Sequence, residues 1–193
     1  VKLFVSTAAA ALIVVSASAA QAGDTYVQLD TGPIVAGSAD ATVDGIGTAG
    51  TDTKFGFLGG VAYGMDMGNG LAVEGELVAA YNGVDMGVED PSMTTLLLMA
   101  NAKYTVQTDM AWKPYVAAGV GYGKVDYDLN GGSIDDYGVA WHLKAGVQHK
   151  TEAGKIVEVG YRYTQAPELK ATDGFDTLTI ETGTHAVTVG VRF

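Results

Sequence analysis

Cysteine is absent from the 193 residues, so neither a disulfide framework nor a thiolate metal site can form. Charge is sparse as well. Asp, Glu, Lys and Arg make up 17% of the chain and hydrophobic residues 48%, a balance that excludes a disordered, solvated polymer. Positive charge is scarcer still: 11 Lys and Arg against 22 Asp and Glu leave a net charge of −11, with the cations scattered singly. Nucleic-acid binding, which needs a basic face to neutralise phosphates, is thereby set aside. Beyond the first 22 residues there is also no long apolar run, the best being Leu96 to Ala100 and Val116 to Val120. A spanning helix needs about 20 such residues, so an α-helical membrane domain is excluded.

What is present begins with an address. Lys2 is followed by an apolar and small-residue run from Leu3 to Ala20, closing in Ala20-Gln21-Ala22. A positive start, an apolar core and an A-x-A site read as a cleavable secretory signal over residues 1–22. An uncleaved membrane anchor fits less well, because the apolar stretch is short and interrupted by Ser. The folded domain is therefore expected over residues 23–193.

Along that domain, 27 glycines and many Asn and Asp residues punctuate short segments that alternate with a period of two. Phe55, Phe57, Val61 and Tyr63 share one face and Lys54, Leu58 and Ala62 the other. Leu71, Val73, Leu77 and Tyr81 oppose Ala72, Glu74, Glu76 and Val78. Leu96, Leu98, Ala100, Ala102 and Tyr104 oppose Leu97, Met99, Asn101 and Lys103, and three more segments near 138–148, 157–164 and 186–193 repeat the pattern. Weaker stretches around 25–34 and 114–124 bring the expected number of antiparallel strands to eight. Links alternate in length: short at 65–70, 105–113 and 150–155, long near 35–53, 82–93, 125–136 and 165–184. Short turns at one end and long loops at the other predict an all-β, eight-stranded, antiparallel up-and-down transmembrane barrel.

A soluble lipocalin-like barrel would alternate too, with its polar face outward. Here the polar face is mostly Gly, Ala and Thr with few charges, too little to solvate a surface. The opposite face ends in Phe55, Tyr63, Tyr81, Tyr104, Trp141, Tyr161, Tyr163 and Phe193, which suits aromatic girdles at two lipid interfaces.

Several stretches carry a family resemblance: Leu96-Leu97-Leu98-Met99-Ala100-Asn101-Ala102, Pro114-Tyr115-Val116-Ala117-Ala118-Gly119-Val120-Gly121-Tyr122, Leu143-Lys144-Ala145-Gly146-Val147, Val159-Gly160-Tyr161-Arg162-Tyr163 and His185-Ala186-Val187-Thr188-Val189-Gly190-Val191-Arg192-Phe193. In these the chain resembles the small outer-membrane β-barrels of Gram-negative bacteria, the opacity-type proteins and the eight-stranded OmpA membrane domain among them. The resemblance implies a bacterial outer-membrane location and outer-membrane lipids and lipopolysaccharide as surroundings. It also implies periplasmic chaperones and the barrel-assembly machinery as partners, the latter reading a signal in Tyr161, Val187, Val189, Val191 and Phe193.

On the same parity Glu74, Glu76 and Glu158 point inward with Lys103, Lys144, Arg162 and Arg192. Ions in a narrow interior must be paired, so a charge ladder is expected in which Glu74 or Glu76 meets Arg162. An eight-stranded barrel is just wide enough for its own side chains, and such a ladder would plug it. The expected role is thus structural or surface-interactive, through loops that would meet an extracellular partner; a low-conductance channel is the alternative.

Those loops are acidic: Asp40, Asp44, Asp52, Asp85, Glu89, Asp90, Asp126, Asp128, Asp135, Asp136, Glu168, Asp173, Asp176 and Glu181 face nearly one counter-charge, Lys170. No cofactor motif is present; Ca²⁺ or Mg²⁺ bridging these loops to lipopolysaccharide phosphate is the metal role the charge suggests. Asp126, Asp128 and Asn130 with Gly131 match the opening of an EF-type calcium loop, yet its twelfth position is Tyr137 rather than Glu, so affinity should be poor. A lipid-modifying enzyme would need His185 to pair with a loop Ser. His142, His149 and His185 fall at different levels of the expected topology, and Ser38, Ser92 and Ser133 are not placed by any motif beside them. No catalytic residue is expected.

Overall fold

The computed structural model describes residues 24–43, 47–84, 92–129, 132–172 and 177–193. The expected signal segment, Asp44, the loop carboxylates Asp85, Glu89 and Asp90, the calcium candidate Asn130 with Gly131, and Asp173 and Asp176 lie outside the described residues.

The described residues form nine strands: β1 (Thr25–Val43), β2 (Gly47–Gly68), β3 (Leu71–Val84), β4 (Ser92–Thr105), β5 (Trp112–Leu129), β6 (Gly132–Lys150), β7 (Ile156–Gln165), β8 (Leu169–Thr172) and β9 (Thr177–Arg192). Each strand pairs antiparallel with the next through β7, β7 pairs with β9, and β9 returns to β1. That last pairing closes the wall on itself. Reciprocal backbone bonds between Val27 and Phe193, at 3.2 and 2.8 Å, complete the seam at the final residue. Eight strands form the wall. The ninth, β8, continues the line of β7 along β9 after a break at Ala166-Pro167, where proline has no N–H for the ladder.

The long loops are corrected by the structure. Residues 35–43 and 47–53 are β-ribbon, as are 124–129 with 132–138 and the pairing of β8 with β9, so the wall runs well beyond the aromatic belt. Thr42, Val43, Thr48, Thr51 and Thr53, set among small residues, favour strand geometry in 38–43 and 47–53. The short links are as expected. The tightest is Asn69-Gly70, whose φ angles of 53° and 83° suit the two-residue turn that matches strand twist.

The alternation decides what faces where. Phe55, Phe57, Tyr63, Tyr81, Tyr104, Trp141, Tyr161 and Phe193 are all exposed, together with Leu29, Val73, Leu96, Leu98, Leu143 and Val189. Between the two aromatic levels lie about 10 residues per strand, which at a strand tilt of about 40° span about 25 Å, the height of a bilayer's apolar band. No helix among the described residues is long and apolar enough to cross a membrane. The strands supply the crossing, and the polar residues are inside.

Candidate functional site

The lumen is built in two tiers. In the tier nearer the short turns, Glu74, Glu76, Lys103, Lys144, Glu158 and Arg162 are each no more than 9% exposed. Glu76, on β3, is the hub. It accepts from Arg162 at 2.8 Å, from Lys144 through both carboxylate oxygens at 3.0 Å and from Asn101 at 2.8 Å. In an eight-membered ring β3 and β7 stand opposite each other, so the Glu76–Arg162 bridge crosses the full lumen. Arg162 also donates to His142 Nδ1 at 2.6 Å and to Thr164 at 3.2 Å. With Nδ1 accepting, the proton of His142 sits on Nε2, 3.9 Å from Glu76.

Glu74 takes a different partner from the one the sequence left open. It accepts from the Tyr26 hydroxyl at 2.6 Å and from Asn101 at 3.4 Å. Glu158 is paired with Lys103 and accepts from Gln28 at 3.1 Å, while Lys103 lies over the Tyr115 ring at 4.6 Å. Arg192 stands apart from this network. It sits at the turn-end rim, bonded to Asp66, with its guanidinium 3.5 Å from the centre of the Tyr26 ring.

Two acids absent from the sequence reading belong here. Asp30 is 3.6 Å from Lys144 and receives Gln28 at 2.9 Å, and Asp66 holds Arg192. The buried set is therefore Asp30, Glu74, Glu76 and Glu158 against Lys103, Lys144 and Arg162, one negative charge in excess rather than one positive. Neutral donors from Tyr26 and Asn101 carry that excess at Glu74. The signal for Asp30 was available: Tyr26, Gln28 and Asp30 alternate with Val27, Leu29 and Thr31 in a strand whose faces had been left unassigned.

The second tier is mainly apolar, with Asn82 and Thr95 buried within it, where the expectation was of a charged lumen. Val78, Leu97, Met99 and Ala140 pack above Glu76, and Ile34, Leu58 and Ala186 pack beside Ala80. At the ribbon end, Leu169 of β8 reaches across to Met93, Val125 and Tyr127 and is 1% exposed. The Tyr127 and Thr182 hydroxyls bridge β5 and β9 at 2.5 Å. Asp136 of β6 accepts from the Lys170 backbone N–H at 3.0 Å and from the Tyr137 N–H at 2.7 Å. Those two bonds hold the Asp136 carboxyl below the usual carboxylate range, and Glu168 at 3.0 Å holds the Lys170 ammonium above its ordinary value. The break after β7 thus folds a short strap over the mouth and fastens it to β6.

The remaining sequence candidates are dispersed. Asp126 and Asp128 lie on extended β5, where Lys124 bonds Asp126 at 3.0 Å and Asp135 at 3.1 Å. A strand holds alternate side chains apart instead of wrapping them around an ion, so the EF-like string is ribbon as far as residue 129. Among the described residues no three His, Asp or Glu side chains converge as metal ligands. His185 faces outward, its Nδ1 against the Tyr161 hydroxyl and its ring 5.0 Å from that of Tyr163. His149 contacts the Ala111 carbonyl at 2.9 Å, so the three histidines occupy three separate places. Tyr161, Val187, Val189, Val191 and Phe193 form one outward line along β7 and β9, with Tyr161 opposite Val187 in register. Phe193 is capped by the Lys155 ammonium at 4.5 Å.

Known proteins share this architecture. Neisserial surface protein A aligns over 88% of this chain and 97% of its own with 20% identity and a TM-score of 0.54. The outer membrane protein AlkL aligns over 91% and 93% with 16% identity and a TM-score of 0.52. Ail, the attachment invasion locus protein of Yersinia pestis, covers 88% and 99% with 18% identity at a TM-score of 0.46. No curated protein matches the chain in sequence. The family model for the outer membrane protein β-barrel domain matches residues 7–193. With a closed antiparallel wall, an apolar exterior banded by aromatics and an ionic interior, the chain belongs to the outer membrane β-barrel family of the bacterial outer membrane.

Proposed function

We propose that this is a closed barrel that works through its extracellular ribbons, with the lumen serving as a structural plug and not as a path. One observation carries the reading: Glu76 on β3 is held within 3.0 Å by Lys144 and Arg162 from the opposite wall, so an ion pair spans the bore. Opening that bridge would leave buried charges unpaired at a cost of several kcal/mol each. The ribbons expose Asp40, Asp52, Asp128, Asp135, Glu168 and Glu181, an acidic crown suited to a cationic surface partner, or to lipopolysaccharide phosphate bridged by Ca²⁺ or Mg²⁺. The role is non-enzymatic: His185 meets a tyrosine hydroxyl rather than a serine, without the nucleophile and base pairing that acyl transfer needs. Assembly relies on periplasmic chaperones and the barrel-assembly machinery, for which the outward line ending in Phe193 is the recognition strip.

The test is heat-modifiable gel migration followed by planar-bilayer recording on the same folded sample. A folded band without channel steps is the expected result, and reproducible steps would overturn the plug. A low-conductance channel has its own support in Thr53, Asn82 and Thr95 in the ribbon-end half of the lumen, whose buried side-chain atoms lack hydrogen-bond partners among the described residues. Such groups would line a wetted route if the Leu169 strap lifted.

A further inference from the structure

At the periplasmic end, a cavity of about 310 Å³ opens between the turn after β4 and the turn after β6. Lys113 and Lys150 flank it, Gln148 and His149 line it, and Met110 and Ile156 make its apolar wall. In register Lys113 stands opposite Gln148, and Lys150 opposite Ile156, so both ammonium groups lie on the strands that meet there. Among the described residues neither lysine has an ion-pair, hydrogen-bond or ring partner. Gln148 is 9% exposed, and its buried Oε1 lacks a donor among the described residues. The nearest inward carboxylate, Glu158 opposite Gln148, is taken up by Lys103 and Gln28, and the turn acids Asp109 and Glu152 do not line the cavity.

Its height in the membrane is set by neighbours. Trp112 is 45% exposed and stacks on His149 at 5.0 Å, and an amphipathic ring of this kind marks the headgroup level. The His149 ring is pinned by the Ala111 carbonyl, so the floor of the cavity is built in advance. Two unpaired cations ask for an anion, an unpaired amide oxygen asks for a donor, and the Met110 and Ile156 wall accepts hydrocarbon.

We propose that this cavity binds the headgroup of a periplasmic-leaflet phospholipid, its phosphodiester between Lys113 and Lys150 and its hydroxyl or ammonium donating to Gln148 Oε1. A headgroup with a phosphate but no donor fills only half of the site. Phosphatidylglycerol and phosphatidylethanolamine therefore bind better than phosphatidylcholine.

The full chain, purified in detergent and stripped of lipid, is titrated with short-chain phosphatidylglycerol, phosphatidylethanolamine and phosphatidylcholine and with inorganic phosphate, binding being read by native mass spectrometry. Each lysine should contribute about fivefold, the usual effect of one lysine near an anionic lipid surface, so K113Q/K150Q weakens phosphatidylglycerol about 25-fold. Gln148→Leu should erase the preference for phosphatidylethanolamine over phosphatidylcholine while leaving the lysine dependence in place. Equal binding of all three lipids, or unchanged binding by K113Q/K150Q, overturns the proposal. Inorganic phosphate displacing lipid at equal concentration also overturns it, in favour of a soluble anion. Heat-modifiable migration certifies that each variant is folded, and K150E, at an exposed position, tests the same point should Lys113 prove necessary for folding.

Discussion

Replacing Arg162 with Leu removes the group that links Glu76 to β7, the strand directly across the bore, and its cost can be worked from the contacts. Arg162 is 1% exposed and donates to Glu76 at 2.8 Å, to His142 at 2.6 Å and to Thr164 at 3.2 Å. Its loss strands three acceptors, but Glu76 keeps Lys144 and Asn101. Breaking one side of a buried pair typically costs about 3–5 kcal/mol; the surviving partners place R162L near the lower figure. Glu76→Leu is more severe, because Arg162 and Lys144 both lose their hub carboxylate and Lys144 keeps Asp30 at 3.6 Å. Removing both members returns the buried net charge to its wild-type value, so the E76L/R162L double variant should lose at least about 2 kcal/mol less than the sum of the singles. Urea unfolding of the barrel in detergent, followed by the heat-modifiable band and by tryptophan fluorescence, measures all four corners of the cycle. Additive losses, or an R162L midpoint equal to wild type, would refute the hub.

The same accounting reaches other positions. Asn82 is fully buried with neither amide atom paired among the described residues, so Asn82→Leu should leave the unfolding midpoint unchanged or raise it; a loss above about 1 kcal/mol would mean that ordered water satisfies the amide. Leu169→Ala should free the strap from Met93, Val125 and Tyr127, seen as faster protease cleavage within residues 165–177 while the wall remains resistant. The Asp136 latch has a folded pKa below its unfolded one, so its stabilisation is present above the ordinary carboxylate range and is lost as pH falls through the folded value. Protection of the Lys170 amide, taken relative to its intrinsic exchange rate at each pH, should therefore fall on acidification in wild type and be low at every pH in Asp136→Asn. Phe193→Ala should cut the yield of barrel assembled in cells while leaving the purified protein's unfolding midpoint within about 1 kcal/mol, since the ring is 55% exposed and its contact is the exposed cation Lys155.

The period of two, read residue by residue, determined the wall. It is a local property: successive side chains on a strand point to opposite faces, so the lipid-facing row of Phe55, Leu98, Trp141 and Val189 and the inward row of Glu74, Lys103 and Arg162 followed from composition and parity. The same argument fell short where alternation was weak, and Asp30 went unassigned for that reason. Continuation of strands past the membrane was also hidden, because Gly, Asp and Thr in residues 35–54 and 124–138 read equally as loop.

Only the tertiary structure decided who meets whom. Arg162 and Glu76 are 86 residues apart and meet because the stagger of the closed sheet sets the height at which opposite walls face each other. A shift of stagger by two residues would have brought Glu74 to that level with the alternation unchanged, and nothing local distinguishes the two. Leu169 over the mouth, the division into ionic and apolar tiers, and the empty partners of Lys113, Lys150 and Gln148 likewise depend on closure. Parity is written in each strand, whereas register between distant strands belongs to the barrel as a whole.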